Sequence, residues 1–418
     1  MRPWQPALSI AVLATALITT LLRTLRLPND WAEAHWLLDY RFGFVKRGLP
    51  GELLRWLAAM FGQEVGAGTI AIVSLALMGL LVALMFAMAV GILRAGGYRP
   101  GVVAATVAFA CSPFVVMTGH LTGYFEQLFL PLGIVTVWLA LRGRLWTGAL
   151  LQALALFVHE ISIVLVYPAF VFAALLRAAR TPAGQRVPSL VPLLLPLAVT
   201  LVIARVADAP PPDFVARFSQ WLAQHPFIEG GYATITPDLL AWPLSMFWAV
   251  VAPKYFERMA MPSSIGLVLP TLMVLMLWLL PRLRAGVLSL PALCLVVVVL
   301  VPQAMHLIAF DLERLWTFSL FTAFLATWLL ARETTDGADE AEPRGLLPLA
   351  LLTIVANFLM ETPLLDHVSD QMPRAVRAWI MLGVVGTLLV FAAAIEPASW
   401  AERWRLRGRS LWDLLRGR

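Results

Sequence analysis

Long apolar runs recur along the whole chain and limit what it can fold into. The hydrocarbon core of a bilayer is about 30 Å thick, and a helix crosses it with about 17–25 apolar residues. We predict a transmembrane helix at each of twelve runs: 7–25, 67–93, 101–118, 126–141, 145–159, 161–176, 189–207, 264–281, 287–304, 315–331, 346–360 and 376–395. The sequence therefore predicts an all-α, polytopic membrane helix bundle of about 12 transmembrane helices, with short loop helices on its outer face.

The composition excludes several other classes of protein. Of the 418 residues, 60% are hydrophobic and only 13% are charged. Soluble proteins have about 45–50% apolar and about 25% charged residues, and a soluble fold of this length could not bury so much apolar surface. A soluble enzyme and a disordered chain are thus excluded. The two cysteines lie inside apolar runs without a partner at ligand spacing, which excludes a disulfide scaffold.

The chain has no predicted soluble domain. We predict one transmembrane domain over residues 1–395, with outer-face loops at 26–66 and 208–263, followed by a basic amphipathic cytoplasmic tail at 396–418. A further apolar stretch, 239–252, would disturb the alternation of loops if it crossed the membrane. We therefore predict a re-entrant or surface helix there.

The positions of the basic residues predict the orientation. With the N terminus inside, most arginines fall in short cytoplasmic connections and in the tail, as the positive-inside rule requires. The net charge of +6 is then a topology signal, and we expect the lipid bilayer as a partner and no nucleic acid. We predict a multi-pass protein of the cell inner (cytoplasmic) membrane with both termini in the cytoplasm. Six basic residues of the first outer loop depart from the rule: Arg23, Arg26, Arg41, Lys46, Arg47 and Arg55.

The histidines and most carboxylates gather on one predicted side. All six histidines fall in outer loops or at outer helix ends under this topology: His35, His120, His159, His225, His306 and His367. A transporter would need ionisable residues near the bilayer midplane, where a charge is costly. The one-sided distribution favours an enzyme that works at the outer membrane surface.

The first outer loop is the segment richest in acids and bases. Asn29 or Asp30 can cap a helix that starts at Trp31. On that helix Asp30, Glu33 and His35 would lie near one another at the membrane edge. The alternative is an interfacial helix whose aromatic and charged side chains contact lipid headgroups.

Further along the same loop, Asp39 follows about two helical turns after Asp30. When two carboxylates lie close together, the pKa of one of them can be raised, and this carboxylate can then act as a base. Alternatively, the two can hold a divalent metal such as Mg²⁺ or Mn²⁺. Lys46 and Arg47 could clamp a phosphate, because Gly48 allows the backbone to approach closely. The sequence leaves metal dependence open and predicts no other cofactor.

Two short outer turns supply supporting residues. His159 and Glu160 lie at the tip of a hairpin, where the pair could orient a catalytic group or simply be solvated. His306 precedes the turn that contains Asp311 and Arg314. Asp311 and Arg314 are three residues apart on a helix, so they could pair with each other. Alternatively, Arg314 could bind a phosphate that Asp311 helps to position.

The chain has about twelve predicted spans, and Asp30 and Glu33 follow directly after the first span. This arrangement resembles the GT-C superfamily of membrane glycosyltransferases. The resemblance implies transfer of a sugar from a polyprenyl-phosphate-linked donor. It also implies an acidic first-loop residue as base or metal ligand, and basic residues from other loops on the phosphate. The acids here have Asp-x-x-Glu spacing, whereas the better-known members have adjacent acids, which makes Asp39 a rival for the catalytic position.

The resulting expectation is a GT-C-type glycosyltransferase that moves the sugar to a glycan or lipid acceptor at the outer face. Its catalytic residues would be Asp30 or Asp39, assisted by Glu33. Lys46, Arg47 and Arg314 would bind the phosphate, with support from His35, His159, Glu160, His306 and Asp311. The alternatives are a transporter or flippase of a lipid-linked glycan, and a polysaccharide polymerase.

Overall fold

The computed structural model of the protein describes residues 2–207, 210–254, 262–283, 290–307, 309, 311–333, 342–362, 364 and 370–395. Every regular element among these residues is an α-helix or a short 3-10 helix, as predicted. The predicted tail at 396–418 and His367 lie outside the described residues.

The α-helices of the described residues are, in chain order, α1 (Gln5–Leu22), α2 (Asp30–Trp36), α3 (Gly48–Met60), α4 (Ala67–Ala95), α5 (Pro100–Ala110), α6 (Pro113–His120), α7 (Glu126–Leu141), α8 (Leu145–Val158), α9 (Ser162–Leu165), α10 (Tyr167–Ala179), α11 (Ala183–Leu190), α12 (Leu194–Ala207), α13 (Phe214–Leu222), α14 (Gly230–Ala241), α15 (Leu244–Val251), α16 (Pro262–Leu279), α17 (Leu290–Leu300), α18 (Leu312–Glu333), α19 (Leu346–Leu359) and α20 (Arg374–Ile395). Short 3-10 helices lie between some of them: Tyr40–Phe42, Val191–Leu193, Ala252–Lys254, Leu280–Leu283 and Val301–Leu307.

The helix lengths confirm only part of the predicted span count. In the described part of the chain, seven helices are long and apolar enough to cross a membrane: Gln5–Leu22, Ala67–Ala95, Pro100–His120, Ser162–Ala179, Gly184–Val206, Arg314–Arg332 and Arg374–Ile395. The other five predicted spans coincide with apolar helices of 10–17 residues. A 14-residue helix is only about 21 Å long. The number twelve therefore stays a prediction.

Large apolar side chains cover much of the outer surface of the bundle. Ile72, Leu201 and Leu352, on three different helices, are each more than two thirds exposed. Monomeric soluble proteins rarely expose extended apolar patches of this kind. Lipid tails would remove these side chains from water, which agrees with a membrane protein.

The centre of the bundle is the segment formed by α5 and α6, which is buried along its whole length. The ring of Phe109 in α5 stacks on that of Phe324 in α18 with centroids 3.7 Å apart. The two central helices are separated at Ser112, because Pro113 cannot continue the hydrogen bonding of α5. α6 then carries the chain towards the first loop, where Thr24 donates a hydrogen bond to the carbonyl of Val116 at 2.6 Å.

A buried ion cluster joins the ends of α1, α19 and α20. An Nη2 atom of Arg23 lies 2.5 Å from Asp370 Oδ2, and Nη1 of Arg377 lies 3.0 Å from the same oxygen. Nη1 of Arg23 also donates to the carbonyl of Asn357 at 2.8 Å, one of the carbonyls that the end of α19 leaves unpaired. Arg23, one of the basic residues that the predicted orientation leaves outside, is thus paired with a carboxylate inside the protein.

The first loop begins as predicted and then differs. The side chain of Asn29 caps α2 by accepting a hydrogen bond from Ala32 N at 3.1 Å. The helix ends at Trp36, so Asp39 is not two turns further along it. Asp39 instead caps the following 3-10 helix, accepting from Arg41 N at 2.9 Å.

The structure divides the apolar stretch 239–252 between two helices. α14 begins at Gly230 and ends at Ala241, and α15 begins after Pro243. Proline interrupts the helix, since it lacks the N–H that the helix would use. α15 has eight residues, which is about 12 Å and too short to cross a membrane alone.

Candidate functional site

A cavity of about 490 Å³ lies between the first loop, the start of α7, the α8–α9 turn, α12, α14 and the start of α18. Among the described residues, eight charged or histidine side chains line it: His35, Lys46, Arg47, Glu126, His159, Glu160, Asp311 and Arg314. Seven of these eight are residues that the sequence analysis assigned to phosphate binding or to support. The fold thus brings residues from four widely separated parts of the chain to one site.

Arg47 and Glu160 form an ion pair across this cavity. Nε of Arg47 lies 3.1 Å from Oε1 and 3.0 Å from Oε2 of Glu160, and Nη2 also donates to Oε1. Arg47 has a left-handed backbone conformation with φ of 64°, which is uncommon for a residue other than glycine, and it directly precedes α3. Burial alone would raise the pKa of Glu160, but the charge of Arg47 holds it well below its ordinary value.

His159 follows the last residue of α8 and lies beside the same pair. Burial and the charge of Arg47 lower the pKa of its ring. Nδ1 lies 3.3 Å from the backbone N of Ile161 and 3.3 Å from Oε2 of Glu160.

His35 presents an acceptor to the cavity. Its Nδ1 lies 2.7 Å from the carbonyl oxygen of Trp31, so Nδ1 carries the proton and donates it. Burial and the charge of Arg47 lower the pKa of His35 to about 3. The ring is therefore neutral at physiological pH, and its Nε2 can only accept a hydrogen bond.

Arg314 lies between two carboxylates at the start of α18. Its Nη2 is 3.0 Å from Asp311 Oδ2 and 3.7 Å from Glu126 Oε1. The ion pair between Asp311 and Arg314, one of the two roles that the sequence left open for them, is present. The side chain of Arg314 is only 11% exposed, and its Nε makes no hydrogen bond to the residues that the structure describes. A buried N–H donor that lacks an acceptor costs free energy, and a ligand oxygen could remove that cost.

Lys46 connects the first loop to the break after α14. Its Nζ donates to the carbonyl oxygen of Trp242 at 3.1 Å. This contact holds the ammonium group at the wall of the cavity that Tyr232 and Leu239 of α14 help to form.

The charges of the lining balance, and much of the remaining wall is apolar. The described lining includes three cations and three carboxylates, together with His35 and His159, which are neutral. The apolar part of the wall includes Leu156, Ile163, Val164, Ile203, Leu240 and Met305. The cavity therefore combines ion pairs with a hydrophobic wall, an arrangement that suits an amphiphilic ligand.

All three predicted catalytic residues, Asp30, Glu33 and Asp39, lie outside this lining. Burial and the neighbouring Glu229 raise the pKa of Asp30, while burial and Asp30 raise the pKa of Glu33 to about 7. These two residues therefore form an acidic group at the N-terminal end of α14. Asp39 is buried, with Arg41 Nη2 at 2.7 Å and Arg55 Nε at 3.8 Å.

His306 is buried and also lies outside the described lining. Its Nε2 is 3.0 Å from Oε1 of Gln303, and its ring lies against that of Trp316. The residues that the structure describes contain no group of three or more His, Cys, Asp or Glu side chains that could hold a metal ion. Because Mg²⁺ is usually held by one or two carboxylates together with water and phosphate oxygens, the divalent metal that the sequence leaves open for these acids stays a prediction.

Glu126 is the charged residue of the described lining that the site prediction did not include. It is the first residue of α7, and an acidic residue in the first turn of a helix is common because it interacts favourably with the helix dipole. Its position directly after an outer turn that also contains His120 and Tyr124 was the only available signal.

Comparison with known proteins gives no match to any family model, curated protein or solved structure.

Proposed function

We propose that the protein is a membrane glycosyltransferase that takes a sugar from a polyprenyl-phosphate-linked donor at the outer face of the cytoplasmic membrane. The observation that carries the proposal is the convergence of Lys46, Arg47 and Arg314 on one cavity with a largely apolar wall. A polyprenyl-phosphate sugar has the matching chemistry, since an anionic phosphate and a polar sugar are joined to a hydrocarbon chain.

The size of the cavity supports this ligand class. Small-molecule sites measure about 300–1,000 Å³ and combine apolar walls with a few convergent polar groups. A cavity of about 490 Å³ accommodates a sugar phosphate and the first part of its lipid chain, not the whole chain. The rest of the lipid would extend along the apolar outer surface of the bundle.

Each cation would have a distinct role. Asp311 and Glu126 already hold the side chain of Arg314 in position, and Arg314 would donate its unpaired Nε–H to a phosphate oxygen. Arg47 and Lys46 would stabilise the charge that develops on the phosphate as the bond to the sugar breaks. His35 would accept a hydrogen bond from a sugar hydroxyl through Nε2.

The direct test is sugar transfer by the purified protein in lipid nanodiscs. Donors would be a panel of radiolabelled polyprenyl-phosphate sugars, with membrane lipids and glycans of the native host as acceptors. We expect labelled product from the wild-type protein. Arg314→Ala should lower donor affinity by about 10–100-fold, because a hydrogen bond to a charged group contributes about 1.5–3 kcal/mol.

Arg94→Ala is the matched control, since Arg94 is an exposed arginine of α4 remote from the cavity lining. Its activity should equal that of the wild type. Movement of an intact donor across the bilayer of liposomes without cleavage of the sugar–phosphate bond would contradict the proposal and identify a flippase.

A further inference from the structure

One carboxylate oxygen in the cavity is buried without a hydrogen bond. The side chain of Glu126 is 5% exposed and lines the cavity. Its Oε1 makes no hydrogen bond to any residue that the structure describes, and its nearest ionic partner is Arg314 Nη2 at 3.7 Å, beyond hydrogen-bond distance. A buried carboxylate normally has its hydrogen bonds satisfied, so this oxygen has the properties expected for contact with a ligand donor.

The other two carboxylates of the described lining are already engaged. Glu160 accepts two hydrogen bonds from Nε of Arg47, and its pKa is held well below the ordinary value, which makes it a weak base. Asp311 lies 3.0 Å from Nη2 of Arg314 and is about a third exposed. Glu126 is thus the carboxylate of the described lining that has a buried oxygen without a hydrogen bond.

Glu126 also lies next to Arg314, whose Nε–H the proposed function assigns to a phosphate oxygen. Oε1 of Glu126 and Nε of Arg314 are both buried without hydrogen bonds to the described residues, and the two side chains form an ion pair. The two groups suit a pair of substrates that lie side by side. The Nε–H of Arg314 holds the phosphate, while Oε1 of Glu126 takes a proton from a hydroxyl next to it.

We propose that Glu126 is the general base that deprotonates the acceptor hydroxyl; this inference rests on the proposed function. The acceptor oxygen forms a bond to the anomeric carbon of the donor as the bond from that carbon to the phosphate oxygen breaks. The phosphate leaves with the electron pair, next to Arg314, and the hydroxyl proton passes to the carboxylate of Glu126. Atoms and charge balance without a further reactant.

The experiment uses the full-length protein in nanodiscs with a radiolabelled polyprenyl-phosphate sugar that the wild type transfers. Glu126→Gln keeps the size of the side chain but cannot take the proton. We expect kcat to fall by about 100-fold or more, the usual contribution of general-base catalysis, with donor affinity unchanged in a direct binding assay. Glu64→Gln, at an exposed glutamate between α3 and α4, is the matched control and should keep wild-type kcat.

A second variant separates a base from a structural residue. In Glu126→Ala the missing carboxylate leaves space, and added formate should restore part of kcat. A purely structural role predicts no such rescue. A wild-type kcat in Glu126→Gln, or loss of donor binding in the same variant, overturns the assignment of Glu126. Absence of transfer by the wild-type protein itself overturns the proposed function, and the role of Glu126 with it.

Discussion

Arg47 and Glu160, which are 113 residues apart in the sequence, form a bidentate ion pair that joins the first loop to the turn between α8 and α9. The pair closes one side of the cavity and holds Arg47 at the point where the loop becomes α3. Both side chains are less than a third exposed, so water screens their attraction only partly. The pair therefore fixes the loop that carries the first group of site residues.

The first prediction is that Arg47 and Glu160 are energetically coupled. Glu160→Gln leaves a partly buried guanidinium without its anion, and Arg47→Gln leaves the carboxylate without its cation. We expect each single change to destabilise the protein, and the double change to be less destabilising than the sum, with a coupling energy of about 1–2 kcal/mol. Thermal unfolding of the four proteins in one detergent measures the cycle, and strictly additive effects would contradict the prediction.

The second prediction concerns pH and Glu33, whose side chain is 8% exposed. Its folded-state pKa of about 7 is above the ordinary value of 4.5, so the fold favours the protonated form. Its contribution to stability is full below pH 4.5 and is lost as the pH rises through about 7. Ionisation costs the folded state at most about 3.5 kcal/mol, since one pKa unit corresponds to about 1.4 kcal/mol.

Glu33→Gln should therefore raise the melting temperature at pH 8.5 and have little effect at pH 5. Glu64→Gln, at an exposed position, is the control for removal of a carboxylate. The same pH dependence in the wild type and in Glu33→Gln would show that another group is responsible.

The third prediction is that His35 does not titrate between pH 5 and pH 8. Burial and the charge of Arg47 lower its pKa to about 3, and its Nδ1–H is held by the carbonyl of Trp31. Nitrogen-15 NMR of the labelled histidines, with His35→Gln to assign the signal, should show a neutral ring protonated on Nδ1 throughout this range. A signal that shifts to the doubly protonated form near pH 6 would refute it.

Local sequence patterns predicted the local structure well. Asn29 is a favoured N-cap residue, and it caps α2. Asp311 and Arg314 are three residues apart, which places them on one face of a helix, and they pair. The apolar runs coincide with apolar helices, although five of these are shorter than a span requires.

The contacts between distant segments could not be predicted in the same way. Nothing in the local pattern distinguishes Asp39, which binds Arg41, from a catalytic carboxylate, because both are acids in a loop rich in bases. Glu126 has the pattern of an ordinary acidic residue at a helix start, and only its burial beside Arg314 separates it from one. Which carboxylate pairs with an arginine from a distant segment, as Glu126 does with Arg314, depends on packing, and the sequence carries no local signal of it.

The fourth prediction concerns the buried cluster of Arg23, Asp370 and Arg377. Asp370→Ala would leave two buried guanidinium groups without their shared anion, and removal of one partner of a buried pair costs about 3–5 kcal/mol. Asp213→Ala is the matched control, because Asp213 pairs with the exposed Arg217 at 3.3 Å and such pairs contribute less than about 1 kcal/mol. Thermal unfolding of both variants measures the loss of stability, and equal losses of stability in the two variants would contradict the prediction.

The last prediction is the side of the membrane on which the first loop lies. Gln63→Cys, exposed between α3 and α4, should react with a membrane-impermeant thiol reagent in intact cells. Arg144→Cys, exposed in a connection predicted to be cytoplasmic, should react only after lysis. Both changes are made in a protein that carries Cys111→Ala and Cys294→Ala, so that neither native thiol contributes. Labelling of position 63 from outside would put the cavity loop on the side where lipid-linked sugars serve as donors, whereas protection until lysis would invert the orientation and remove the basis for the proposed glycosyltransferase.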